Sequence, residues 1–549
     1  MLQSQAQQTV EVSVGRVCTI AEYLLERLVQ LNVTSIFGVP GDFNLAFLDY
    51  IESHSKLGWV GNCNELNAAY AADGYARVKE GSIGVVVTTF GQKNKLVLHH
   101  TFGDGRYDMY FKAAQQVVIS HASLQDKATA AAEIDRVITD CVLMARPVYL
   151  VLPTDLVSAQ IPAERLQTPL NTEPPQNDPE TESVVLDEIV KLIEEAERGV
   201  IILVDACSIR RNVKDEVFEF AKKTRFPVYS TPMGKTAIPE DYELHGGIYA
   251  GVTSRPEVKA KVESAKLIIS VGGLKTNFNT GNFTNKISPA QTVELHSDHT
   301  RIRLATYHGI GMKHLLPKLT ERMQPFKEDV KAIDVPEFTL PVSQEDNDKI
   351  SHLWLWPRLG QFFKKGDIIV AEAGTAYFGA LEIPMPGGSV FMSQFLWCSI
   401  GWTVGSTLGA AIAARDMGLP RVILFVGDGS IQMTAQELST MIRYGVKPII
   451  FVLKNNGYTA ERYLHDENAQ YNDIATWQGF FLPPMGGTEG ETCQSYTVRT
   501  KNELSQLLDN VEFAKAEKIQ LVEPLMDTHD APRVLKVLAA LLKKAKLEE

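Results

Sequence analysis

Residues 421–457 read RVILFVGDGSIQMTAQELSTMIRYGVKPIIFVLKNNG. The runs VILFV and PIIFVL are apolar throughout, as expected of strands covered on both faces in a parallel sheet, and AQELSTMIRYG between them has helical periodicity. Each strand closes on a small polar turn. Gly427-Asp428-Gly429-Ser430 ends the first, and Asn455-Asn456-Gly457 ends the second, with Asn455 27 residues beyond Asp428. Ligands of open α/β sheets bind at the carboxyl ends of strands, where both turns lie. An Asp carboxylate, an Asn amide oxygen and a main-chain carbonyl are hard oxygen ligands suited to Mg2+ bridging a diphosphate. The glycines permit close backbone approach, and the helix N-terminus that follows favours phosphate. Taken alone, GDGS equally describes a tight strand-to-helix turn; the paired spacing is what points to a ligand.

The same rhythm occurs twice more upstream. Strand-like runs SIFGVP, IGVVVTTF, QQVVIS and VYLVLP alternate with helical stretches in the first third, and GVIILVDA, FPVYSTP, KLIISVGG and TVELHSD do so in the middle. Pro-, Asn- and Glu-rich sequence from Pro162 to Glu182 and a charged stretch from Gln324 to Lys349 read as linkers. The expected architecture is three tandem parallel-sheet α/β domains, over residues 1–165, 183–322 and 350–549. A chain of 549 residues exceeds what one core supports.

With 54 basic and 66 acidic side chains the formal charge is −12, which gives no attraction to nucleic acid or anionic lipid. Six scattered cysteines without C-x-x-C pairing argue against zinc or a disulfide framework. No secretory signal pattern opens the sequence, so a cytoplasmic location is expected. Residues 383–414 carry no charge, and Gly401, Gly405 and Gly409 recur at the spacing of packed membrane helices. Pro384, Pro386 and abundant Ser and Thr favour a buried helix of a water-soluble domain instead.

On its paired turns the chain resembles the thiamine diphosphate (ThDP) enzymes. Gly38-Val39-Pro40-Gly41-Asp42 and the run from Asn64-Glu65 through Asp73-Gly74-Tyr75 are similar to the pyrimidine-binding half of 2-keto acid decarboxylases. His99-His100-Thr101 with Gly103-Asp104-Gly105, and Gly457-Tyr458-Thr459-Ala460-Glu461-Arg462, narrow the resemblance to the pyruvate and indolepyruvate decarboxylase group. VDACSIRRNV, TPMGKTAIPE, GGIYAGV and VELHSDH look like the fungal members, so the resemblance spans essentially the whole chain. It implies ThDP and Mg2+ as cofactors and a homodimer or homotetramer with shared sites. Its domains would be pyrimidine-binding, central and diphosphate-binding in turn. The implied reaction is non-oxidative decarboxylation, pyruvate giving acetaldehyde and CO2.

The resemblance also assigns roles. Glu65 would hydrogen-bond N1′ of the aminopyrimidine, as a carboxyl kept protonated by burial. Ile400 would wedge beneath the cofactor, and the Cys398 carbonyl would accept from its 4′-amino group. Asp428, Asn455 and the Gly457 carbonyl would hold Mg2+, with Gly427, Gly429, Ser430, Thr375 and Tyr458 lining the cofactor. Asp42, His99, His100 and Glu461 match the family's acid/base group. Cys207 resembles a regulatory thiol of some relatives, against the plainer reading of an inert buried cysteine.

Three departures stand out. Cys398 occupies a position where the family usually has Gly. Ala460 and Ala373 are smaller than the usual residues, which admits branched-chain or aromatic keto acids as alternative substrates. Between Gly91 and Gln92 the first domain lacks a segment about one strand-helix-strand repeat long, roughly 30 residues. That raises the competing possibility of a catalytically impaired isoform or non-catalytic subunit.

Overall fold

A computed structural model describes residues 16–79, 81–87, 106, 108–325, 333–475, 477 and 486–548. The chain divides into two compact units: residues 1–60, 81–83 and 87–173, and residues 61–80, 84–86 and 174–549. The Gly91–Gln92 junction, His99 and His100 lie outside the described residues.

In the first unit the helix Ile20–Gln30 starts from a capping box: the Thr19 hydroxyl accepts from the Glu22 N–H, and the Glu22 carboxylate accepts from the Thr19 N–H. Arg27, buried on this helix, donates to Asp135 of the helix Lys127–Met144 at 2.7 Å. The strand Ser35–Gly38 lies between Gly58–Gly61 and Val86–Val87, and Ser120–Ser123 pairs in parallel with Val148–Val151. The expected strand QQVVIS is displaced. Gln115 caps the helix Met109–Ala114 and residues 115–117 form the turn after it, leaving Val117 exposed, and pairing begins only at Ser120. The expected linker from Pro162 is also shorter. Asp178 caps a helix, Pro179–Ala196, with proline at its first turn, where a missing N–H costs nothing.

The larger unit holds two sheets. A seven-stranded sheet runs in the order His245–Ile248, Val228–Ser230, Val200–Val204, Leu267–Val271, Thr292–Leu295, His299–Ile302, Ala305–His308. Its last two pairings are antiparallel, because connections this short make hairpins and cannot make crossovers. The second sheet runs Val390–Met392, Ile368–Ala371, Val422–Gly427, Ile449–Leu453, Ile519–Pro524, Cys493–Val498 and is parallel throughout. Its core stacks Phe425 on Phe451, ring centroids 5.0 Å apart, beside Trp356 and Phe363. Lys235 and Glu240, both wholly buried, form an ion pair at 2.8 Å. Lys235 also donates to the Ile383 carbonyl, and the Met385 N–H donates to Glu240, so the pair ties the two layers together.

Within the same unit the helix Glu65–Val78 packs on the helix Trp402–Met417. The second is buried from Trp402 to Ala414, as expected of the uncharged 383–414 stretch. Among the described residues no helix is long and apolar enough to cross a membrane. The glycines serve close approach: a methyl placed on Gly409 would sit 1.7 Å from the Ala71 carbonyl oxygen, and one on Gly74 would sit 2.0 Å from the Ser406 carbonyl oxygen. Gly409→Ala therefore forces two helix backbones apart, and a loss of about 1–3 kcal/mol is expected, read as a lower thermal midpoint. Gly360→Ala is the control. It lies in a helix with its nearest neighbour at 3.8 Å and should be neutral or stabilising. Equal midpoints for the two variants would contradict the close-packing account.

Candidate active site

Parallel pairing sets three adjacent strands so that their carboxyl ends share one edge. Gly427 pairs with Leu453, and Ala371 pairs with Phe425, which brings Asp428, Asn455 and the segment from Glu372 to Thr375 to that edge. The chain turns sharply there: Asn456 and Gly457 both have positive φ, 60° and 137°. Asparagine tolerates the left-handed region, and a methyl on Gly457 would lie 2.4 Å from the Asn472 carbonyl oxygen.

Asp428 is buried, and burial raises its carboxyl above the ordinary range while backbone N–H groups of Asn456, Gly457 and Gly429 pull it back. The Asn456 N–H donates to Asp428 Oδ2 at 2.7 Å. One end of the Asn455 amide lies 3.2 Å from Asp428 Oδ1 and 3.0 Å from the Gly457 carbonyl oxygen; the other lies 2.9 Å from the Thr459 hydroxyl. Turned with its NH2 to the two oxygens, this amide hydrogen-bonds both. Turned with its oxygen to them, it completes a set of three oxygens. Adjacent oxygens of an octahedral Mg2+ shell with ~2.1 Å bonds stand about 3.0 Å apart, so the residues fit that ion. Gly429 leaves room for Tyr458, whose ring a methyl would meet at 2.6 Å, and Ser430 and Thr375 are buried beside the turn.

On the same edge the segment 398–401 is held from several sides. Cys398 has φ 58° and Gly401 φ 87°. A left-handed residue without glycine is strained, which is a physical reason for glycine to be the usual occupant at Cys398. Burial, with Glu372 and Glu461 nearby, pushes the Cys398 thiol up. Ile400 is half-buried. Glu461 is exposed on the helix Thr459–Leu464, and Ala460 and Ala373 are half-buried.

Glu65 is the first residue of its helix, behind Asn64, whose side chain accepts from the Asn67 N–H. Contrary to the burial expected of it, the Glu65 side chain, on the first residue of its helix, is exposed in the single chain. Asp42, in the smaller unit, is exposed as well. Cys207 is half-buried in the helix Ala206–Arg210.

Two carboxylates at this unit's centre are not evident from motif reading. Glu437 is fully buried and accepts from the Cys63 N–H at 2.8 Å and from the Asn62 and Asn67 amides, anchoring the start of the Glu65 helix. Glu372 is buried and accepts from Gly401 N, Thr403 Oγ1 and Ala373 N at 3.0, 2.6 and 3.0 Å. Burial pushes its carboxyl up to about 7, against the lowering effect of these donors. A charged residue inside the apolar strand run DIIVAEAG was the available signal.

Two predictions follow from this geometry. Asp428→Ala removes one of three candidate ligand oxygens, and ThDP affinity in the presence of Mg2+, followed by tryptophan fluorescence, should weaken at least ~10-fold. Glu372 binds its proton more tightly folded than unfolded, from an ordinary 4.5 to about 7, so its contribution to stability declines as pH rises through that window. The thermal midpoint of Glu372→Gln should accordingly gain on that of the unsubstituted chain between pH 5 and pH 7; a pH-independent difference would contradict the raised value.

Comparison with known proteins bears on the same residues. Residues 18–93, 186–313 and 373–523 match, in turn, models of the N-terminal TPP binding, central and C-terminal TPP binding domains of thiamine pyrophosphate enzymes. The chain is similar to "Pyruvate decarboxylase" of Aspergillus fumigatus, at 43% identity over 95% of this chain and 96% of the relative. It is similar to "Pyruvate decarboxylase isozyme 2" of Saccharomyces cerevisiae, at 42% over 94% and 97%. "Pyruvate decarboxylase" of Candida albicans is 41% identical over 97% and 99%.

Proposed function

The chain belongs to the pyruvate decarboxylase family of thiamine diphosphate enzymes, and from that premise we propose how its residues perform the family's reaction. It is a ThDP-dependent carboxy-lyase acting on a small 2-keto acid, pyruvate giving acetaldehyde and CO2. The observation that carries the site is the convergence of Asp428, Asn455 and the Gly457 carbonyl at the shared strand edge. These three would hold Mg2+, and Gly427, Gly429, Ser430, Thr375 and Tyr458 would line the diphosphate end. When bound, ThDP supplies a nucleophilic carbon and a sink for the electrons left as CO2 departs.

The protein's own work is positioning and proton handling. Ile400 would support the bound cofactor, and the Cys398 carbonyl would accept from its amino group. Glu65 holds a proton at N1′. Asp42 and Glu461, with His99 and His100 outside the described residues, serve the proton transfers to and from substrate. Ala460 and Ala373 leave space beside the reacting atoms, which favours acceptance of longer keto acids alongside pyruvate. The division of labour runs over residues 1–165 for the pyrimidine, 183–322 for the central domain and 350–549 for the diphosphate. A cytoplasmic location agrees with six widely spaced cysteines that form no disulfide.

Glu65 needs burial for its role and is exposed on one chain, which supports sites shared between two copies. Leu66, Leu396 and Trp397, neighbours of Glu65 and Cys398 in sequence, are exposed at 58%, 50% and 82%, as surfaces covered by a second copy would be. Purified protein with ThDP and Mg2+ should release CO2 from pyruvate, and comparison with phenylpyruvate and 2-ketoisocaproate ranks its substrates. Saturable ThDP binding without CO2 from any of them would instead establish the impaired isoform. Glu65→Gln and Asp428→Ala should each be inactive alone. Mixed and allowed to reassort at random, they should recover about a quarter of full activity, because half the dimers then carry one intact shared site. No recovery after demonstrated subunit exchange would rule out sharing.

A further inference from the structure

Ile400 sits in a segment with two left-handed residues, Cys398 and Gly401, of which the non-glycine Cys398 is strained by itself. Such conformations persist only where surrounding groups over-determine them. Before Ile400, the Cys398 N–H donates to the Gln394 carbonyl at 3.0 Å, and the Ser399 N–H to the Gln394 side-chain oxygen at 2.9 Å. After it, both polar groups of Gly401 are taken by buried side chains from two other elements. The Gly401 N–H donates to Glu372 Oε2 at 3.0 Å, and the Gly401 carbonyl accepts from Thr434 Oγ1 at 2.6 Å. Glu372 directly follows the strand Ile368–Ala371, and Thr434 follows the short helix Asp428–Ile431 that begins at the candidate metal ligand. Substitution cannot replace Gly401 itself, since a methyl there would meet Met433 Cβ at 2.6 Å.

We propose that Glu372 and Thr434 are positioning residues for the reaction: they grip the two backbone groups of Gly401 and so set the height and direction of Ile400 beneath the bound cofactor. The two Glu372 oxygens accept from Gly401, Thr403 and Ala373 together, so one buried side chain joins the strand end, the wedge and the first turn of the Trp402–Met417 helix. That helix has no side-chain cap from its own preceding residue, Gly401. Thr434 grips from the opposite side, on the segment that leads from Asp428. The clamp thereby links the element beneath the cofactor's middle to the turn that holds its diphosphate.

The proposal rests on the reading of Ile400 as the wedge, and the test separates the two. The wedge exists to keep the cofactor bent, with its amino group against C2–H; exchange of that proton in D2O, followed by NMR after acid quench of fully ThDP-saturated protein, reports the bend without any substrate. Ile400→Ala, Glu372→Gln and Thr434→Val are compared with the unsubstituted chain, and Thr434→Ser serves as the conservative rescue. Thr434→Val is nearly isosteric and keeps the clamp testable if Glu372→Gln folds poorly. The expected result is exchange slowed ~10- to 100-fold in Ile400→Ala, slowed also in Glu372→Gln and Thr434→Val, and restored in Thr434→Ser. Slow exchange in Ile400→Ala with unaltered exchange in both clamp variants would overturn the clamp and leave the wedge standing. Unaltered exchange in Ile400→Ala would overturn the wedge reading and the clamp with it. A lowered thermal midpoint with unaltered exchange would mark Glu372 and Thr434 as structural only, which also overturns the proposal.

Discussion

The Glu65–Val78 and Trp402–Met417 helices meet at backbone distance, and much of the larger unit is arranged around that contact. Gly74, Gly405 and Gly409 remove the side chains that would hold the helices apart, so main-chain atoms of one lie against main-chain atoms of the other. One helix begins with the expected pyrimidine-binding glutamate, and the other begins two residues after Ile400, the expected wedge. Trp402 reinforces the join, donating from its indole to Asp73 at 2.9 Å while the Arg77 guanidinium lies over its ring.

Buried carboxylates make the second layer of constraint. Asp428, Glu372 and Glu437 are each removed from water and each met by backbone N–H groups. Burying an acceptor without a partner costs on the order of 1–3 kcal/mol. Matching each carboxylate to main-chain donors instead makes it a connector between elements distant in sequence. Glu437 anchors the residues before Glu65, Asp428 orders the Asn456 turn, and Glu372 anchors the residues after Ile400. The site is therefore held by acidic side chains bonded to peptide groups, which have little freedom to move once both sheets have formed.

The strands of the parallel cores were legible because burial on both faces demands unbroken apolar runs. VILFV, PIIFVL, DIIV and GVIILV all became central strands. Edge strands were not legible. Val390–Met392 and Cys493–Val498 sit at the ends of the six-stranded sheet and pair on one side only; the first is just three residues long, and the second carries polar residues that blur its period. His245–Ile248, half glycine, gave no β signal either, and QQVVIS gave a displaced one because a short apolar run can also lie in the turn that leaves a helix. The paired turns were readable as a candidate cation and diphosphate site because one short chain segment supplies all three candidate ligand oxygens.

By itself the sequence determined the parallel α/β class, the family and the candidate oxygen ligands at 428, 455 and 457, since those depend on local periodicity and on residues close along the chain. The tertiary structure decided what depends on distant contacts. It placed Glu372 and Thr434 on either side of Gly401, made Glu437 the anchor of the Glu65 helix, and left Glu65 itself on the surface of a single chain. Each of these joins residues that sequence spacing does not relate, because burial and hydrogen-bond direction are properties of packed elements and are not carried by any one segment.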